Sequence, residues 1–281
     1  MSAITAQTTV ELNDGNRMPQ IGFGVYQLTD AAECAAALGA ALDAGYTHFD
    51  TAAAYDNESM LGDFFAGSTV ARDELFITTK CWISEFGKAQ TRASLEQSLK
   101  KLQMEYVDLY LLHWPVDETM MDAWEALIAM QAEGKIKSIG VSNFSVARFE
   151  DFFFKQSDVI PTVNQIESHP LRPQADVQSY CEGKGIVTEA YSPLARADVL
   201  GSEGLKSLAE ETGKSPAQVV LRWHLQQGRV IIPKSAKPAR VRENIALYDF
   251  ALSDAQMAVV DGLNQDQTVI SWRPNDGIGW Y

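Results

Sequence analysis

Cysteine is scarce in this sequence of 281 residues, and what there is cannot pair off. Cys34, Cys81 and Cys181 make an odd count with no CxxC spacing, which argues against a disulfide framework and fits reduced intracellular thiols. Histidine is equally thin: His48, His113, His169 and His224 show no HxxxH or similar ligand spacing, so no metal site is expected. No stretch approaches the ~20 apolar residues that a membrane span requires. The N-terminal segment 1–10 lacks both a basic residue and the ~7 to 15 residue apolar core of a secretory signal, so the expected address is the cytoplasm. Basic residues are also in deficit, 23 against 37 acidic ones for a formal charge of -14. Such a field repels phosphate backbones and anionic membranes, which excludes a general nucleic-acid binder or membrane-surface protein.

What the chain does have is alternation. Short β-branched or aromatic runs at 21–25, 47–50, 75–80, 107–113, 136–141, 162–167, 186–191 and 230–233 are separated by longer stretches of helical period such as 31–44, 92–102 and 120–133. This is the pattern of repeated strand-helix units around a parallel sheet. Gly45, Gly134, Gly185 and Gly228 each close a helical pattern just before a strand, where a left-handed C-cap is expected. Eight units on a chain near ~250 residues predict a single (β/α)₈ TIM barrel spanning 1–281. Two pieces stand outside the repeat. Segments 8–12 and 18–20 flank Asn13-Asp14-Gly15-Asn16 and read as an N-terminal β-hairpin plug. Segment 253–263 reads as an extra C-terminal helix capped by Ser253, followed by an irregular C-terminal tail that ends Trp280-Tyr281.

Two nucleotide-loop lookalikes fail. Gly22-Phe23-Gly24 has Gln27 where a dinucleotide fingerprint needs its third glycine, and Gly213-Lys214-Ser215 has Leu208 where a phosphate loop needs its first. The second is expected to be a helix-helix turn.

Barrel enzymes work at the C-terminal ends of their strands, and four polar residues stand there: Asp50 after strand two, Tyr55 in the loop beyond it, Lys80 at the end of strand three and His113 at the end of strand four. As strands that are neighbours in chain order are neighbours in the barrel, these side chains can converge. Together they suit proton transfer to a carbonyl. A tyrosine with its reference pKa of ~10 needs a nearby cation to stabilise the phenolate. Lys80 supplies the cation, Asp50 keeps a buried lysine charged, and His113 donates a hydrogen bond to a carbonyl oxygen that gains negative charge.

With these residues in place the chain resembles the aldo-keto reductases over essentially its whole length. The matching motifs are Gly45-Tyr46-Thr47-His48-Phe49-Asp50-Thr51-Ala52 with Tyr55, then Lys80, Leu112-His113-Trp114-Pro115, Ile139-Gly140-Val141-Ser142-Asn143-Phe144 and Ile232-Pro233-Lys234-Ser235. Within the family it is similar to the prokaryotic 2,5-diketo-gluconate reductase type. The resemblance implies NADPH as cofactor, bound across the barrel mouth. It assigns Ser142, Asn143 and Gln165 to the nicotinamide carboxamide, Tyr191 to its ring, and Ser192 and Leu194 to the pyrophosphate. Lys234, Ser235 and Arg240 would contact the 2′-phosphate, and Glu243 and Asn244 the adenine. Independently of the family, segment 229–242 holds Arg229, Lys234, Lys237, Arg240 and Arg242 in an otherwise acidic chain, and cations before a helix that opens near Pro238 make an anion site.

Tyr26, Trp82, Trp114 and Trp272 are the expected walls of a substrate pocket, with segment 114–119 as a short lid and the tail from about residue 264 closing over it. The tetrad and the family resemblance together imply an NADPH-dependent carbonyl reductase that uses Tyr55 as general acid on a small-molecule aldehyde or ketone, and the expected state is a monomer. Two other readings are a nucleotide-binding regulatory or sensing subunit on the same barrel, which the complete tetrad argues against, and an aldolase with Lys80 as Schiff-base nucleophile.

Overall fold

The computed structural model describes residues 5, 7–116, 119–270 and 274. The N-terminal hairpin is present as β1 (Thr9–Glu11) paired antiparallel with β2 (Arg17–Pro19). Eight further strands follow: β3 (Gly22–Gly24), β4 (His48–Asp50), β5 (Phe76–Cys81), β6 (Val107–Leu112), β7 (Ile136–Ser142), β8 (Val163–Glu167), β9 (Val187–Tyr191) and β10 (Val230–Ile231). They pair in parallel in strict chain order, and a parallel bridge between Ile21 and Ile231 joins the last strand to the first. The sheet therefore closes, and each predicted strand lies on one of the eight.

Around it run α1 (Ala31–Ala44), α2 (Glu58–Ala66), α3 (Lys88–Leu102), α4 (Met120–Ala132), α5 (Val146–Asp151), α6 (Ala175–Gly183), α7 (Glu203–Thr212), α8 (Pro216–Gln226), α9 (Pro238–Ile245) and α10 (Asp254–Asp261). Helix α1 shows the local logic. The Asp30 side chain accepts from the Glu33 N–H at 2.8 Å, Cys34, Ala37, Leu38 and Ala41 form the buried stripe at spacings of three and four, and Gly45 ends the helix at φ 94°. Helix α3 begins one turn earlier than the apolar period suggests. Its N-cap is Gly87, at φ 126° with no side-chain cap bond, and its first turn is polar, so neither usual start signal is there to be read. Helix α10 has Ser253 as N-cap with a capping box to Gln256, as expected of the extra helix. Gly213 and Ser215 do form a helix-helix turn, closing α7 and capping α8.

The hairpin works as a plug. Leu12 and Met18 pack in one cluster with Phe76, Leu109, Leu111, Val163 and Val230 from the barrel strands, while Asn13 Nδ2 donates to Pro161 O and Asn16 Nδ2 to Ser138 Oγ, each at 3.0 Å. The partners Pro161 and Ser138 lie before or early in β8 and β7, so the hairpin covers the N-terminal ends of the strands. Gly22 is required where β3 meets β4, because a Cβ there would stand 2.4 Å from His48 Nδ1. The opposite, C-terminal end remains open.

Candidate active site

At that open end Asp50 terminates β4 and Lys80 is the penultimate residue of β5. Lys80 Nζ donates to Asp50 Oδ1 at 2.7 Å and to Thr51 O at 2.8 Å, and lysine and carboxylate are almost wholly buried, at 0% and 2% exposure. Tyr55 arrives on the short 3₁₀ turn Ala53–Tyr55, which ends at Asp56 with φ 55°. Its ring centroid is 5.0 Å from Lys80 Nζ and 5.7 Å from the His113 ring. Tyr26 packs on the outer side of Tyr55 at 4.9 Å, and Trp82 on His113 at 5.0 Å. All four predicted residues do converge.

Their electrostatics differ in one respect from the sequence reading. Burial pushes the Tyr55 phenol up to about 12, although Lys80 pulls it down by its charge and by hydrogen bonding. The lysine thus moderates the phenol without bringing it below the ordinary tyrosine value, and Tyr55 holds its proton at neutral pH. Burial works to lower the Lys80 ammonium, but Asp50 and Tyr55 hold it above the ordinary lysine value. The Asp50 carboxyl is raised by burial against the pull of Lys80 and Gln165. Burial, helped by the Lys80 charge, drives His113 well below its usual range, so the imidazole is neutral and donates from one nitrogen only.

Beside this group, Asn143 follows β7 in a left-handed conformation, φ 66°. Its Nδ2 donates to His113 O at 2.9 Å, and its Oδ1 accepts from the Tyr191 hydroxyl at 2.8 Å. Ser142 Oγ donates to the Gln165 backbone carbonyl at 2.8 Å. These groups open on a cleft of about 870 Å³ whose lining includes Tyr26, Asp50, Tyr55, Trp82, His113, Trp114, Ser142, Asn143, Gln165, Tyr191, Ser192, Leu194 and Lys234. Lys80 lies beneath that wall. Ser235, Arg240, Glu243 and Asn244 belong to α9 or the turn before it and do not line the cleft. Trp272 and residues 117–118 of the lid lie outside the described residues.

The cationic segment needs one correction. Lys234, Lys237, Arg240 and Arg242 are exposed, but Arg229 is 1% exposed. It donates to Gln178 Oε1 at 2.7 Å and to Pro173 O at 3.0 Å, so its charge is spent inside the fold and four cations remain on the surface of the segment. Ser235 Oγ accepts from Lys237 N at 3.1 Å, which shapes the turn that enters α9.

Sequence reasoning missed Gln27, Glu85, Arg196 and Ile270, which also line the cleft, and the buried Glu189 of β9. Gln165 Nε2 donates to Glu189 Oε2 and to Asp50 Oδ2, each at 2.8 Å. Burial and the Asp50 charge push Glu189 up to about 8. Its signal was a charged residue at an inward position of an otherwise apolar run. The tail also reaches the site: Glu167 accepts from Thr268 Oγ1 and from Val269 N, each at 2.6 Å, which sets Ile270 at the cleft. No helix among the described residues is long and apolar enough to cross a membrane, and the described residues contain no cluster suited to a metal ion.

Residues 20–265 match the model of the Aldo/keto reductase family. Among similar proteins are a glyoxal reductase of Bacillus subtilis, 45% identical over 93% of this chain and 94% of its own length, and the methylglyoxal reductase DkgA of Salmonella typhimurium, 44% identical over 92% and 94%. Similar solved structures include an aldo/keto reductase from Brucella melitensis, with TM-score 0.87 and 44% identity over 91% of this chain and 99% of that one. Another is a Bombyx mori aldo-keto reductase in complex with NADP, with TM-score 0.87 and 33% identity over 95% and 96%.

Proposed function

The chain belongs to the aldo/keto reductase family, and from that premise we propose that it reduces the carbonyl group of small aldehydes and ketones to an alcohol with NADPH. The observation that carries this reading is the convergence of Asp50, Lys80, Tyr55 and His113 beneath one large cleft. The residues present suit the cofactor. Polar groups of Ser142, Asn143 and Gln165 line the inner part of the cleft, and Lys234 lines it toward α9, whose N-terminus and exposed Lys237 and Arg240 favour phosphate. When bound, NADPH supplies the hydride that goes to the carbonyl carbon.

This chain's own groups do the rest. Tyr55, protonated at neutral pH, gives its proton to the carbonyl oxygen as charge builds there. Lys80, held charged by Asp50, stabilises the phenolate left behind. His113, as a neutral donor, orients the carbonyl oxygen. Tyr26, Trp82 and Trp114 form apolar walls that exclude water, and Tyr191, tied to Asn143 through its hydroxyl, offers a ring face for stacking. The names of the glyoxal and methylglyoxal reductase relatives favour small dicarbonyls as substrates. The complete tetrad favours turnover over a sensing role.

Loss of NADPH absorbance with glyoxal, methylglyoxal, a keto sugar and a keto steroid tests the proposal. Turnover of the small dicarbonyls, with NADPH preferred to NADH, is expected. Absence of turnover with every carbonyl would contradict it.

A further inference from the structure

Glu189 has no role in the proton path just described, yet it is fully buried, at 0% exposure, inside the barrel beneath the cleft. The groups that face it are Gln165 of β8, His48 and Asp50 of β4, and Lys80 of β5. Its Oε2 accepts from Gln165 Nε2 at 2.8 Å, while Oε1 has no hydrogen-bond partner and lies 3.7 Å from His48 Nε2. His48 is driven down to about 3 by burial and the Lys80 charge and so is neutral. Gln165 Nε2 also donates to Asp50 Oδ2 at 2.8 Å.

A side-chain amide has two N–H donors and one carbonyl oxygen. Both donors of Gln165 are taken by carboxyl groups, that of Asp50 in the cleft lining and that of Glu189 buried beneath it, and only Oε1 is left for the cleft that Gln165 lines. We propose that Glu189 is a positioning residue: with Asp50 it clamps the Gln165 amide so that Oε1 faces the cleft and accepts from the carboxamide N–H of the nicotinamide. This rests on the reading that the cleft takes NADPH. Asp50 alone holds one N–H and leaves the amide plane free to turn about it, and Glu189 fixes the plane. A carboxylic acid protonated at Oε1 still offers Oε2 as acceptor, so the clamp holds on both sides of the Glu189 titration.

The test compares NADP⁺ with its 3-acetylpyridine analogue, in which a methyl group replaces the amide nitrogen and its two hydrogens, by quenching of protein fluorescence. Wild-type protein should bind NADP⁺ about three- to tenfold more tightly than the analogue, the range for one neutral hydrogen bond. In Glu189→Met the ratio should fall to near one, and in Glu189→Gln, which keeps an acceptor oxygen in the same place, it should recover. Loss of affinity for both ligands in Glu189→Met with the ratio intact would mark Glu189 as structural only and overturn the proposal. Failure of wild-type protein to bind NADP⁺ would overturn the cofactor reading itself, a result separate from any change in ratio. If Glu189→Met does not fold, solvent exchange of the two Gln165 side-chain protons in the wild type decides: both should be protected, and one exchanging freely would refute the clamp.

Discussion

Glu189 also leaves a mark on stability. Burial and Asp50 raise its pKa from 4.5 to about 8, so the folded state keeps a proton that the unfolded chain gives up. The sign follows by linkage: this group's contribution is complete below the unfolded value, declines as pH climbs toward about 8 and is constant beyond. Glu189→Gln abolishes that titration, whereas His48 and Asp50 remain in both proteins and largely cancel. The melting temperature of Glu189→Gln relative to wild type should therefore rise steadily from pH 4.5 to about 8 and then level. A pH-independent offset would show that Glu189 titrates as an ordinary carboxylate. At this scale the sequence is informative where a polar residue ends an apolar strand, as at Asp50, Lys80 and His113. It marks Glu189 only as a charge within a strand run and is silent on the Gln165 bonds to Asp50 and Glu189, because such pairings depend on which residues of β4, β8 and β9 face one another across the interior. It also misleads at Arg229, whose neighbours in sequence are exposed cations but whose neighbours in space are Gln178 and Pro173.

Strands and helices are the more legible elements because each carries its own period. All eight barrel strands lie where apolar runs predict them, and Gly45, Gly134, Gly185 and Gly228 all take positive φ. The start of α3 is hidden because a glycine cap has no side chain to signal with. The tail has no period at all, so its path depends on what it meets. Glu167, 0% exposed at the end of β8, holds Thr268 and Val269. Arg172 pairs with Asp266 at 3.0 Å, and the N–H groups of Gln265 and Gln267 reach Leu171 O. Residues 265–270 thus form a strap that brings Ile270 to the cleft. Hydrogen bonds to a charged acceptor contribute roughly 1.5–3 kcal/mol each, and Glu167→Gln weakens two of them. Contacts made by such a strap bind ground and transition states alike, so the change should appear in KM rather than kcat. KM for bulky carbonyls should rise about threefold or more, with kcat for a small aldehyde nearly unchanged. Equal changes in KM for bulky and small carbonyls would show that the strap does not shape the pocket.

Over the whole molecule the two ends of the barrel have separate tasks. The hairpin seals the N-terminal end with Leu12 and Met18, and the C-terminal end carries the cleft, with exposed Lys234, Lys237, Arg240 and Arg242 in a chain of net charge -14. Long-range repulsion of anions is thereby relieved where α9 begins, a local exception that favours a phosphate-bearing cofactor over polyanions at large. Single-turnover consumption of NADPH by methylglyoxal, with NADPH binding measured alongside, tests most directly whether this mouth is a reductase site with Tyr55 as its acid. Tyr55→Phe should bind NADPH as the wild type does and lose ~10²- to 10⁴-fold in the rate of the chemical step, the usual contribution of a general acid. A Tyr55→Phe protein that keeps more than about a tenth of the wild-type single-turnover rate would contradict it.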